Sequence, residues 1–226
     1  FGLYVFEAGQ TQATASGNTD ILGFHGATDA PAVDITEPAL LLDLEDNLTY
    51  GAFSEEYMTL ETADYSLQLQ DSTSRSVVAQ FAASLESLGL EDSAMVVLAS
   101  GFLTPENNSH GPAFGLYAAL PAGGNLVELP AEEVSTAMAQ LVHNSADMNA
   151  DTVDVWLNNE KLIEDFAFRT ATPFIEMTAG PYFDISIQPK TSTDMVDALV
   201  KVTGIVAADR AYVVVANGIV SGSGYD

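Results

Sequence analysis

The chain has no cysteine, six basic residues and three histidines among its 226 residues. Without cysteine there is no disulfide framework and no thiolate metal site. That does not exclude an extracellular place, because a domain of this size can be stable without cross-links. Six bases against 32 acids leave a net charge of −26. Such a surface repels phosphate backbones and anionic lipid, so nucleic acid is excluded as a partner. No apolar run reaches the roughly 18–20 residues that a membrane helix needs, so membrane insertion is not expected. Three scattered histidines do not make a zinc site of recognised spacing. The chain starts at Phe1 rather than at a methionine; the expectation is a removed leader or a piece of a longer polypeptide.

What is present argues for folded structure. Hydrophobic residues make up 47% of the chain and charged residues only 17%, which sets it apart from disordered sequences. The length suits one large domain or two of about 110 residues, each able to bury a core. Both halves are acidic. Residues 1–113 carry 17 acids and only Arg75, a net of −16, and the remainder carries 15 acids and five bases, a net of −10. Charge of this kind suits salty water, where screening acts within about 10 Å, and a halophilic or marine source is the expectation.

The first nine residues, Phe1-Gly-Leu-Tyr-Val-Phe-Glu-Ala-Gly9, recur as Phe114-Gly-Leu-Tyr-Ala-Ala-Leu-Pro-Ala-Gly123, offset by 114 − 1 = 113. Other blocks repeat in the same order. Gly23-Phe-His-Gly-Ala-Thr-Asp29 is echoed by Gln140-Leu-Val-His-Asn-Ser-Ala-Asp147, and Ala32-Val-Asp-Ile35 by Thr152-Val-Asp-Val-Trp156. Tyr57-Met-Thr-Leu60 is echoed by Phe174-Ile-Glu-Met177. Tyr65-Ser-Leu-Gln-Leu-Gln70 and Phe183-Asp-Ile-Ser-Ile-Gln188 share strict alternation of apolar and polar residues. A repeat of this order predicts two similar domains. The alternation predicts sheets with one buried and one wet face, as in antiparallel sandwiches. Further strands are expected at Val77–Ala82, Met95–Ser100, Val196–Val202 and Tyr212–Ala216, and Ala39–Asp43 reads as a short strand or a packed loop. The fold class is therefore all-β: two tandem immunoglobulin-like antiparallel β-sandwiches, residues 10–123 and 124–226, preceded by a strand at 1–9.

The segment His25-Gly-Ala-Thr-Asp-Ala-Pro-Ala-Val-Asp34 resembles the H-A-S-P-D-A-P-A-V-D signature of a tandem β-sandwich family of prokaryotic surface proteins. That family is classed as a domain of unknown function. Tyr50-Gly51, Thr59–Tyr65 and Met95–Gly101 match its later blocks approximately. The second copy, Asn144–Asp154, departs more, with extra residues and no proline. The resemblance implies that Phe-Gly-Leu-Tyr is the last strand of a domain, following the Gly-closed strand. Phe114–Leu120 would then close the first domain, and Phe1–Glu7 would close a domain that does not precede it in this chain.

His25 and His143 stand some residues before Asp34 and Asp154, and a catalytic pair would need Ser145 or Thr28 within hydrogen-bond reach. No nucleophile elbow or oxyanion-type glycine loop accompanies them. Their first reading is structural, bonding backbone groups of tight turns, and the chain is not expected to be an enzyme. His110 lies in a polar linker and reads as exposed. Asp43, Glu45, Asp46 and Asn47 supply oxygens suited to Ca²⁺, but without an Asp-x-Asp-x-Asp-Gly loop a solvated acidic turn is the first reading and calcium the second. Asn47 and Asn107 are glycosylation sequons. Trp156 and Tyr57 could line a sugar platform, although aromatics at strand spacing are more often core.

Phe1, Leu3, Tyr4, Val5 and Phe6 form the candidate donor strand, with the edge strand Tyr212, Val213, Val214 and Val215 as the candidate acceptor. Packing of the segment on its own chain, or an arbitrary cut in a longer one, are its ordinary explanations. The functional one is donation to another copy. A sandwich without its last strand exposes an apolar groove and unpaired backbone groups, which a strand from a neighbour satisfies. Burying three or four large side chains is worth roughly 5–10 kcal/mol before ordering costs. Such a contact is head to tail and yields a fibre or ring. The expectation is an extracellular, cell-surface filament subunit whose partners are copies of itself. The rival is a monomeric adhesin or carbohydrate-binding module.

Overall fold

A computed structural model of the protein describes residues 2–158, 160–194, 196 and 198–220. It is all-β and divides into two compact units, the first made of residues up to Val134 except Pro38–Leu41 and Ser74–Ser76, which group with the second unit and its main stretch from Ser135. The stretch from residue 124 to Val134, expected to open the second domain, instead supplies two strands to the first.

The first unit is two five-stranded sheets. One contains β1 (Asn18–His25), β4 (Met58–Glu61), β7 (Ala94–Ser100), β8 (Gly115–Ala119) and β9 (Val127–Leu129), in the order β4-β1-β7-β8-β9. The other contains β2 (Val33–Glu37), β3 (Leu42–Leu48), β5 (Asp64–Asp71), β6 (Val77–Ser84) and β10 (Ala131–Glu132), in the order β10-β6-β5-β2-β3. Leu67, Leu69 and Phe81 from the second sheet meet Ile21, Val97, Leu116 and Ala118 from the first in one buried core. These are the alternate, inward positions of each strand, the pattern of a β-sandwich.

The second unit repeats this plan. β11 (Thr136–His143) is flanked on one side by β14 (Thr170–Ala171) and β15 (Ile175–Thr178), and on the other by β18 (Ala211–Ala216). The facing sheet is β13-β12-β16-β17, from β12 (Thr152–Leu157), β13 (Glu160–Ala167), β16 (Gly180–Pro189) and β17 (Val200–Val206). Among the described residues each unit has one parallel strand pair. β1 runs beside β7 with His25 opposite Ala99, and β11 beside β18 with His143 opposite Ala216. Pairing across so many residues leaves no trace in local periodicity, so the sheets are not purely antiparallel as the alternation suggests.

Two other expectations are corrected. The strand expected at Val196–Val202 begins at Val200. The polar faces of β5 and β16 are not wet: Gln68, Gln70, Ser186 and Gln188 are fully buried. In the first unit they pair laterally, with Gln70 Nε2 donating to Gln68 Oε1 at 2.8 Å and Gln68 Nε2 to Gln80 Oε1 at 3.3 Å. In the second, Gln188 Nε2 donates to Ser186 Oγ at 2.6 Å. A buried amide is tolerated when its neighbours supply partners: Gln70 and Gln188 donate to the side chain two residues back on their own strand, and Gln68 donates to Gln80 on β6.

Candidate functional site

The histidines and aspartates of the repeat pin loops. His25 Nε2 donates to the Pro31 carbonyl and His143 Nε2 to the Ala150 carbonyl, both at 2.8 Å, and both rings are buried. The Asp34 carboxylate accepts the Asn47 N–H, and that of Asp154 accepts the Asp165 N–H. Asp29 accepts the N–H groups of Leu103 and Thr104, while Asp147 accepts those of Asn149 and Val220. Leu103 and Val220 each stand two residues past a glycine, Gly101 and Gly218, so the same clamp holds the chain where it leaves β7 and β18. The Ser145 hydroxyl donates to the Gly218 carbonyl at 2.8 Å rather than to an imidazole.

Two of these carboxylates, Asp29 and Asp154, and a third, Asp184 of β16, have an acid signature. Backbone N–H groups of Thr104 and Leu103, against some burial, hold Asp29 below its ordinary value of 3.8. Burial pushes Asp154 up, but the Lys161 ammonium at 2.7 Å, the Asp165 N–H and the Ser192 hydroxyl outweigh it and leave it lowered. Asp184, raised by burial and lowered more by Thr203 and Lys201, behaves likewise. A carboxylate with a depressed folded-state pKa adds stability above its unfolded value, and that stability is lost as pH falls through the folded pKa. The urea midpoint should thus stay level from pH 7 to 5 and drop below about pH 3.8, with Asp154→Asn flattening the second unit's share. A midpoint that rises below that pH would contradict the assignment.

The remaining candidates scatter. Asp43, Glu45 and Asp46 line an acidic trough with Glu55 and Glu56, and burial, then Glu55, Asp46 and Asp43, raise Glu45. No three His, Cys, Asp or Glu side chains among the described residues converge as a metal-binding group. The Asn47 side chain accepts the Ser72 hydroxyl and Asn107 is exposed on a short 3-10 turn. His110 is exposed. Trp156 is buried, donates Nε1–H to Ser192 and lies under the Lys161 ammonium, so its ring is not a free platform. The Tyr57 hydroxyl accepts the Gln10 N–H.

The open feature is at β18. In the first unit β7 is covered by β8, which runs antiparallel with Ser100 opposite Gly115 and Val96 opposite Ala119, and β9 covers β8 in turn. Leu116 and Ala118 point into the core and are buried. In the second unit β18 takes the place of β7, and no strand among the described residues pairs with its outer edge. Its exposure shows the difference. Val97 and Ala99 are buried, whereas their counterparts Val214 and Ala216 are half-buried, and Val213 and Val215 are 60% and 52% exposed.

Beside that edge lies an apolar groove of about 340 Å³, lined by Phe183, Ile185 and Ile187 of β16, Val200 and Val202 of β17, and Val214 and Val215 of β18. Of the four residues expected to form the acceptor, Val214 and Val215 line it. Tyr212 packs on the core and accepts the Ala207 N–H, and Val213 is exposed outside it. The floor from β16 and β17 was not expected. Its signal was the Phe183-Asp-Ile-Ser-Ile run, whose apolar face is the groove wall. A Cβ on Gly101 would come within 2.1 Å of the Ala113 carbonyl, from the segment leading into β8, whereas one on Gly218 would meet nothing within 4 Å. Both glycines have positive φ, +85° and +118°.

The candidate donor is also visible from Gly2 onward; Phe1 lies outside the described residues. Gly2–Phe6 forms no ladder with any strand, so it is an unpaired arm and not the strand its alternation suggests. Tyr4 packs on Phe24, and Phe6 on Phe53 and Tyr57. Leu3 and Val5 face away, 90% and 72% exposed. Aligned on the repeat, they occupy the positions of the buried Leu116 and Ala118. The local geometry matches as well. The Tyr4 ring comes within 3.2 Å of where a Cβ on Gly2 would stand, as Tyr117 does for Gly115.

Residues 137–224 match the family described as a domain of unknown function, DUF4397, which is uncharacterised. The match spans β11 to β18, the open sandwich. No curated protein matches the chain.

Proposed function

We propose that this protein is an extracellular structural subunit that polymerises head to tail, the arm of one copy completing the second sandwich of the next. The observation that carries the reading is the coincidence of two unsatisfied features at one register. An apolar groove flanks a strand that no other strand covers among the described residues of the second unit, and an arm with the sequence of the covering strand exposes Leu3 and Val5 where that strand buries Leu116 and Ala118. A row of unpaired N–H and C=O groups beside an apolar cleft is the setting for β-augmentation. Donor and acceptor are different surfaces, so the contact is heterologous and propagates. In this reading the first sandwich is a second copy of the unit matched at 137–224, closed in cis by β8.

Electron microscopy of the purified chain beside a version lacking residues 1–9 tests this. Fibres from the full chain and monomers from the truncation are the expected result. Monomers from both would sink the polymer, and the chain would then act as a monomeric surface module.

A further inference from the structure

The arm is seated on one surface while it presents the opposite face. Tyr4 and Phe24 lie 5.3 Å apart between ring centroids, Phe6 lies 5.5 Å from Phe53 and 5.9 Å from Tyr57, and Phe24 and Phe53 are 4.7 Å apart. The Gln10 N–H on the Tyr57 hydroxyl at 3.0 Å fixes the end of the arm. Gly51, at φ +79°, leaves room for the Tyr4 ring, since a Cβ there would stand 3.0 Å from it. This aromatic shelf on the first unit is shaped to the arm's Tyr4 and Phe6 face. It leaves the Leu3 and Val5 face exposed and the arm's backbone without a strand partner among the described residues.

We infer that the shelf is the second half of the joint between subunits. Tyr4 and Phe6 stay on their own shelf while Leu3 and Val5 enter the next copy's groove, so that the arm is clamped between two copies. The inference rests on the strand-donation reading and adds to it the surface that grips the arm's other face. The rival role for the shelf is storage, in which the arm must peel away before it can be donated. The side-chain arithmetic favours the clamp. Period-two alternation separates the two faces completely, so donation requires no release. In a covering strand, the positions of Tyr4 and Phe6 correspond to Tyr117 and Ala119, which are outward and only half-buried. An acceptor would therefore offer little to offset two aromatic rings pulled from their partners.

Two variants of the full chain separate these roles. Tyr4→Ser with Phe6→Ser alters only the arm, outside either core, and Phe53→Ala with Tyr57→Ala alters the shelf. Each is assayed for the critical concentration of fibre assembly by light scattering. In parallel, a labelled peptide of residues 1–9, with and without the two serines, is titrated onto the full chain carrying Leu3→Asp and Val5→Asp, whose arm keeps the shelf filled and leaves the groove open. The clamp requires both variants to raise the critical concentration about tenfold or more. It also requires both peptides to bind this acceptor alike, because its shelf is already filled by its own Tyr4 and Phe6 and only the groove is open to the peptide. A lower critical concentration or faster assembly in the variants would overturn the clamp in favour of storage, and an unchanged one would make the shelf irrelevant. Should the shelf variant not fold, the arm variant alone decides. If the peptide does not bind at all, the strand-donation reading itself falls, an outcome distinct from failure of the clamp alone.

Discussion

Leu3→Asp together with Val5→Asp should, on the proposed reading, leave the chain monomeric at concentrations where the parent is expected to form fibres. Both side chains are exposed in the isolated subunit, so the substitutions should not move its melting temperature. In the fibre they would fill the groove between β16, β17 and β18. Full burial of a Leu or Val is worth about 1.5–3 kcal/mol, so losing two removes roughly 3–6 kcal/mol per joint. A carboxylate forced into an apolar site costs more again. At about 1.4 kcal/mol per tenfold in affinity, the critical concentration should rise by two orders of magnitude or more. Sedimentation velocity reads the result directly. Fibres that persist in the double variant would show that the groove does not take this face of the arm.

The second large effect comes from filling the groove in cis. A copy of His110–Leu120 appended after Asp226 places its glycine 14 residues beyond Gly218, as Gly115 lies beyond Gly101 (115 − 101 = 14). The appended strand can then cover β18 as β8 covers β7. This self-complemented chain should stay monomeric with its own arm intact, and its second unit should melt higher. The same chain with the copied Leu116 and Ala118 positions changed to aspartate should revert to fibres. A self-complemented chain that still polymerises, with no rise in melting temperature, would mean that β18 is not the acceptor edge.

Much of this was legible in the residues. Tyr65–Gln70 and Phe183–Gln188 announced β5 and β16 by period alone, whereas Phe114–Leu120, which the family resemblance made the last strand of its sandwich, is followed there by β9 and β10. His25 and His143 followed from the repeated blocks as loop pins. Other features depend on partners distant in sequence. The burial of Gln68 rests on Gln80 of the neighbouring strand β6, which a single strand's alternation cannot report. The parallel pairing of β1 with β7, and of β11 with β18, joins segments some 70 residues apart. The charged run Glu160–Ala167 gives no strand signal because β13 lies at a sheet edge with one buried position, Phe166. The arm's split between Tyr4 and Phe6 on one side and Leu3 and Val5 on the other was present in its period-two pattern. Only the aromatic shelf shows which side is already engaged.

β8 and the arm carry nearly the same words, so either could in principle occupy either groove. What separates them is tethering. β8 is joined to β7 by the short segment from Gly101 to Phe114, and a segment held on so short a leash acts at an effective concentration in the millimolar range. An arm arriving from another copy at micromolar concentration competes at a disadvantage of about a thousandfold. In the proposed assembly the first sandwich closes on itself during folding, and the arm is left for the β18 of another copy. On the proposed reading, which strand fills which groove is decided by chain connectivity rather than by a difference in sequence. Folding a subunit and joining it to the next are then the same chemical event at two concentrations.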